Sequence, residues 1–141
     1  MNNDLMFSSK SNEWTTPQDF FDKVNEEFDF DTDTACTEEN AKCPSFITEE
    51  KDGLKMKWHG RCWCNPPYGR GLKNWVEKAS NEIRERHCEL IVMLIPARTD
   101  TRYFHEFIYN KHEIRFIKGR LKFSDAKSPA PFPSMLIIFK K

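Results

Sequence analysis

The 141 residues carry 22 basic and 22 acidic side chains, a balance that excludes a polycation built to coat nucleic acid yet leaves room for a local basic face. The length suits one domain, and 12 Phe, 4 Trp and 3 Tyr supply both a core and flat surfaces on which rings stack. The longest apolar stretch, Leu90 to Pro96, is too short to span a bilayer; there is no signal-peptide-like start, and the five Cys are odd in number, so free thiols in a reducing, intracellular setting are expected.

Residues 1–12 are polar and without period, which predicts a flexible amino-terminal tail ahead of a single domain over 13–141. TTPQDFFDKVNEEF predicts a helix: Thr16 is placed to cap it, Pro17 suits its first turn, and Phe20, Phe21, Val24 and Phe28 give it an apolar side. FDFDTDTA (28–35) alternates and predicts a strand with Asp29, Asp31 and Asp33 on one face. A short strand at most precedes the Asp52-Gly53 turn, and GRCWCN predicts the next.

LKNWVEKASNEIRERH places Leu72, Trp75, Val76, Ala79 and Ile83 at helical spacing. ELIVMLIPA is continuously apolar, as expected of a central strand covered on both faces. DTRYFHEFIYN predicts a further helix, and HEIRFIKGRLKF and PSMLIIFKK a closing antiparallel pair around a proline-rich loop. Alternating strands and helices argue for a three-layer α/β, Rossmann-like sheet, mostly parallel with an antiparallel carboxyl-terminal hairpin. Cys36, Cys43, Cys62, Cys64, Cys88 and His59 lack the paired C-x-x-C spacing of a structural zinc site, so no metal is expected.

Ligands of open α/β sheets sit beyond the carboxyl ends of the strands. DTDTAC, NPPYG and PARTDTR all fall there, which makes one cleft of three unusual loops. In Asn65-Pro66-Pro67-Tyr68 the Asn side chain offers a carbonyl acceptor, and Pro66 offers a carbonyl without an N–H. Each residue before a proline is held extended, so both acceptors are fixed in direction beside an aromatic ring. A primary amine on a planar group supplies two hydrogens to such a pair. Binding both in a tetrahedral arrangement turns the nitrogen lone pair out of conjugation and toward an electrophile, by positioning and electrostatics alone.

Asn65-Pro66-Pro67-Tyr68 resembles the (D/N/S)PP(Y/F) motif of S-adenosylmethionine-dependent amino methyltransferases. With EWTTPQDFFDKV, TEENAKC, LIPARTDTRYFHE and GRLKF…APFPS in this order, the chain from about Trp14 to Phe139 resembles the small phage-type DNA N6-adenine methyltransferases of the Dam group. The resemblance implies that Asn65, Pro66 and Pro67 form the catalytic loop and that Tyr68 stacks on an adenine flipped out of its helix. It implies S-adenosylmethionine contacts at Trp14, Thr15, Thr16, Pro17, Asp33, Ala35 and Asn40, although DTDTAC lacks the usual glycines. Arg98, Arg102, Arg120, Lys122 and Lys127 become candidates for phosphate contacts on double-stranded DNA, with no separate target-recognition domain. A monomer or weak homodimer, free of membrane and active in the cytoplasm of a phage-bearing bacterium, follows from the same likeness.

The motif itself specifies only an amino group on a flat substrate. RNA adenine, a protein glutamine amide, or an idle nucleotide-binding module fit it as alternatives. Taken singly, NPPY would serve as a strand-ending turn, Thr16-Pro17 as a helix start, and the cations as guards of an exposed sheet edge.

Overall fold

A computed structural model describes residues 14–124 and 126–141; the expected tail over 1–12 lies outside the described residues. Six strands form one mixed sheet in the order β2-β1-β3-β4-β6-β5. The strands are β1 (Thr32–Cys36), β2 (Ser45–Thr48), β3 (Gly60–Cys64), β4 (Cys88–Pro96), β5 (Glu113–Phe116) and β6 (Ser134–Lys140), with helices α1 (Gln18–Phe28) and α2 (Leu72–Arg84). β2, β1, β3 and β4 run parallel; β6 runs antiparallel between β4 and β5. The sheet is therefore mostly parallel, with antiparallel carboxyl-terminal strands, as the sequence predicts.

The apolar run of β4 is buried along its length from Leu90 to Ile95 because it lies between β3 and β6, paired on both sides. Helix α2 buries Leu72, Trp75, Val76, Ala79 and Ile83, the stripe its spacing predicts, and packs on β4 and β6. Helix α1 turns Phe21 into the core, where its ring meets Trp63 of β3 edge-on at 5.3 Å.

Three local expectations are corrected. Phe28 ends α1 instead of opening β1: Asp29 takes a left-handed conformation, and Asn25 accepts the Asp29 N–H with its carbonyl and the Phe30 N–H with its side chain. β1 has no acidic face, since Thr32, Asp33 and Thr34 are all buried in a strand flanked by β2 and β3. The helix expected after β4 is a five-residue π-helical turn, Phe104–Ile108, closed by the Tyr109 N–H on the Phe104 carbonyl at 2.8 Å.

The long loop between β2 and β3 is tied down twice. Gly53 approaches β1 and α2 so closely that an added Cβ would lie 2.5 Å from the Thr34 carbonyl oxygen and 2.7 Å from the Trp75 ring. Its own carbonyl accepts the indole N–H of Trp58 at 2.8 Å. Farther along, the buried carboxylate of Glu82 accepts the Trp58 backbone N–H and faces His87 at 2.9 Å and Lys78 at 3.6 Å. Burial works against the charge on Glu82, but these partners outweigh it and hold the carboxyl below its ordinary value of 4.5.

Two outcomes follow for stability. Gly53→Ala lowers it by about 1–3 kcal/mol through overpacking, read as a shifted denaturation midpoint. Because the folded pKa of Glu82 lies below the unfolded value, its carboxylate stabilises the fold fully above pH 4.5, and this contribution is lost as pH falls through the depressed value. Glu82→Ala removes about 2–4 kcal/mol at neutral pH and flattens that acid limb in pH-dependent melts.

Candidate active site

Strand direction gathers the loops. The carboxyl ends of β1, β2, β3, β4 and β5 and the amino end of β6 share one sheet edge, given the pairing directions. On that edge opens a cleft of about 590 Å³, within the range of small-molecule sites. Trp14, Thr15, Thr16, Asp33, Ala35 and Asn40 line it, as do Asn65, Pro66 and Pro67. The candidate cofactor residues and the catalytic loop thus share one cavity. Pro17 and Tyr68 stand outside its walls.

Asn65 is held at three points. Its Nδ2 donates to the Trp14 main-chain carbonyl and to Thr16 Oγ1, the latter at 2.9 Å. Its Oδ1 accepts the hydroxyl of Tyr68 at 2.8 Å, a hydroxyl that also lies 3.1 Å from the Leu94 carbonyl. Thr16 therefore does not cap α1, as its position predicts; Pro17 occupies the cap position without a side-chain bond, and the Thr16 hydroxyl is engaged by Asn65. Tyr68 is only 5% exposed, with its ring edge-on to Phe123 and Phe132 at 6.3 and 5.8 Å. Burial pushes its phenol well above the ordinary value, so the group stays a donor.

Asp33 is the buried charge of a cleft whose lining also carries Lys42, Glu49 and Asp52. It is 2% exposed, and its two oxygens accept the backbone N–H groups of Ala35 at 3.2 Å and Lys42 at 3.0 Å. Burial nevertheless pushes the carboxyl up to about 6, against the pull of those bonds. Among the described residues no cation forms an ion pair with it; the Lys42 ammonium donates instead to Gln18 Oε1 at 2.8 Å. A buried carboxylate that takes N–H donors and feels the Lys42 ammonium only from beyond ion-pair distance suits a cationic ligand. Asn40 and Thr37 exchange side-chain-to-backbone bonds of 2.7 and 3.2 Å that shape the turn after β1.

Other residues of the walls include Lys42, Ile47, Glu49, Asp52, Gly53, Trp63 and Trp75. The sequence reading missed these as site residues. The Asp52-Gly53 turn was the available signal for Gly53, which lies in the wall because no side chain could fit there against Thr34 and Trp75.

The five candidate cations, Arg98, Arg102, Arg120, Lys122 and Lys127, are exposed and lie on the segments following β4 and β5. Residues 97–103 and 117–133 carry six basic residues, these and Lys118, against Asp100 and Asp125. Arg120 reaches the Ala130 carbonyl at 3.5 Å inside its own loop. Elsewhere Arg61 pairs with Glu89, and Arg115 with Glu27 and Glu113. Among the described residues no cluster of three or more His, Cys, Asp or Glu side chains is arranged to hold a metal, and no helix is long and apolar enough to cross a membrane.

The sequence profile of the family described as DNA N-6-adenine-methyltransferase (Dam) matches residues 5–141. A DNA N-6-adenine-methyltransferase of Haemophilus phage HP1 is 32% identical over 136 residues, covering 90% of this chain and 78% of the relative. Another of that description, from Escherichia phage T1, is 35% identical over 111 residues, covering 77% of this chain and 45% of the relative. With a match across nearly its whole length, the chain belongs to the DNA N-6-adenine-methyltransferase (Dam) family.

Proposed function

We propose that the protein methylates the exocyclic amine of adenine in DNA, with S-adenosylmethionine as methyl donor. The observation that carries this reading is the opening of Asn65-Pro66 and of the buried Asp33, which has no ion-pair partner among the described residues, into one cleft. The donor brings a cationic ammonium and a methyl group on a sulfonium centre, so Asp33 suits it electrostatically, and Trp14, Thr15, Ala35 and Asn40 would form the rest of its bed, with the Thr16 hydroxyl turned to Asn65 instead. Pro17 would serve by starting α1 behind that wall.

In this reading Asn65 Oδ1 and the Pro66 carbonyl accept the two hydrogens of the adenine amine. That aims the nitrogen lone pair into the cleft and stabilises positive charge as it develops on nitrogen. Neither acceptor is a base, so the displaced proton ends in solvent. Tyr68 holds Oδ1 from the far side. Its ring is covered by Phe123 and Phe132, so a flipped base reaches its face only when the loop over 117–133 shifts. The basic segments after β4 and β5 would position the duplex through its phosphates. The reading places a single catalytic unit over residues 13–141, in a Rossmann-like three-layer arrangement, working on double-stranded DNA in the host cytoplasm as a monomer or weak homodimer.

The test is incubation with tritiated S-adenosylmethionine and, separately, unmethylated DNA, RNA and protein extract. Label recovered as N6-methyladenine in DNA is the expected result; label in RNA or protein redirects the substrate, and no transfer despite cofactor binding leaves an idle module. Asn65→Ala slows transfer at least about a hundredfold while cofactor affinity stays near wild type. Cofactor affinity also depends on pH. The ionised form of Asp33 binds the cation; it is half present at about 6 and lost as pH falls further, so affinity at pH 5 is about tenfold weaker than at pH 7 in calorimetric titrations.

A further inference from the structure

An Asn amide is nearly symmetric in shape, and rotating it by half a turn exchanges its oxygen for its NH2 group. In one orientation Asn65 offers an acceptor to an amine; in the other it offers two more donors and the amine finds no partner. A chain with Asn at this position needs neighbours that decide between the two.

The neighbours of Asn65 agree on one answer. The Trp14 carbonyl can only accept, so it requires the NH2 side. Tyr68, kept protonated by burial, has one hydrogen for Asn65 at 2.8 Å or the Leu94 carbonyl at 3.1 Å; with the NH2 side held by Trp14, the atom facing its hydroxyl at the shorter distance is the oxygen. Thr16 Oγ1 lies 2.9 Å from Nδ2 and takes its second hydrogen. This hydroxyl is 97% withdrawn from water with the rest of its residue, at 3% exposure, and is not engaged in capping α1. The segment itself is anchored: the Thr15 carbonyl accepts the Ser124 N–H at 2.9 Å, and the Thr16 carbonyl accepts the Ser124 hydroxyl at 3.3 Å.

We infer that Thr16, with the main-chain carbonyl of Trp14, is a positioning residue that locks the Asn65 amide with its oxygen toward the target amine, and that this lock demands an amide at position 65. A carboxylate there would offer acceptors to an amine equally well, but it would set an oxygen against the Trp14 carbonyl oxygen and lose both donated bonds. The inference rests on the proposed role of Asn65 as an acceptor for the amine.

Single-turnover methyl transfer to unmethylated DNA and calorimetric cofactor affinity, measured on Asn65→Ala, Asn65→Asp, Thr16→Val and Thr16→Ser, separate the possibilities. Thr16→Val slows transfer about tenfold with cofactor affinity within about threefold of wild type, and Thr16→Ser, which keeps the oxygen, recovers the rate to within about threefold. Asn65→Asp slows transfer about a hundredfold. If Asn65→Ala is inactive while Thr16→Val keeps the wild-type rate, the acceptor role stands and the lock is overturned. Cofactor affinity falling in step with rate in Thr16→Val also overturns it, by making Thr16 a cofactor contact. Should Thr16→Val fail to fold, a wild-type rate in Asn65→Asp overturns the lock and the hundredfold loss supports it. An active Asn65→Ala sinks the acceptor role itself, and the lock with it.

Discussion

Strand polarity is the constraint on which the site depends. Four neighbouring parallel strands deliver the turns after β1, β2 and β3 to one edge, and the reversed β6 brings the loop over 117–133 to the same place. Residues far apart in sequence, Trp14, Asp33, Gly53 and Asn65, meet there without any of them being inside a regular strand except Asp33. The buried sheet beneath supplies rigidity, and the edge above supplies chemistry.

The edge divides its labour by charge and shape. Around β1 the cavity is deep and holds a carboxylate whose ionisation is costly in the absence of a cation. Beyond β4 and β5 the surface is open and basic. Asn65 lies between, and its hydrogen bonds reach toward both: to Thr16 on the cleft wall, and to Tyr68, which packs against the aromatic rings of the open side. An amide so placed contributes no large stabilising energy of its own; its value is direction.

Much of this was legible in the sequence. The continuous apolar run of β4 and the spacing in α2 announced burial on both faces and on one face respectively, because hydrophobic periodicity reports which sides are covered. Asn65-Pro66 announced fixed acceptors because prolines restrict the backbone locally. What escaped was set by tertiary neighbours. Thr16 looked like a helix cap, since capping is the commonest local use of a Thr before a helix, and only the arrival of Asn65 from 49 residues away redirects it. Asp33 is legible as a cofactor contact, but its burial is not legible from an alternating strand with Asp29 and Asp31 on the same face; the pairing of β1 on both sides accounts for it. Gly53 looked like a turn residue, whereas its value is the absence of a side chain facing Thr34 and Trp75.

The ion pairs of Arg61 and Arg115 have a consequence beyond local stability. They neutralise two cations away from the cleft, while those on the segments following β4 and β5 form no ion pairs among the described residues. The turns after β1 and β2, at the other end of the cleft edge, carry Glu38, Glu39, Glu49, Glu50 and Asp52. A chain without net charge is thereby left with an edge divided by sign, one end attracting a polyanion and the other repelling it, and salt weakens both effects.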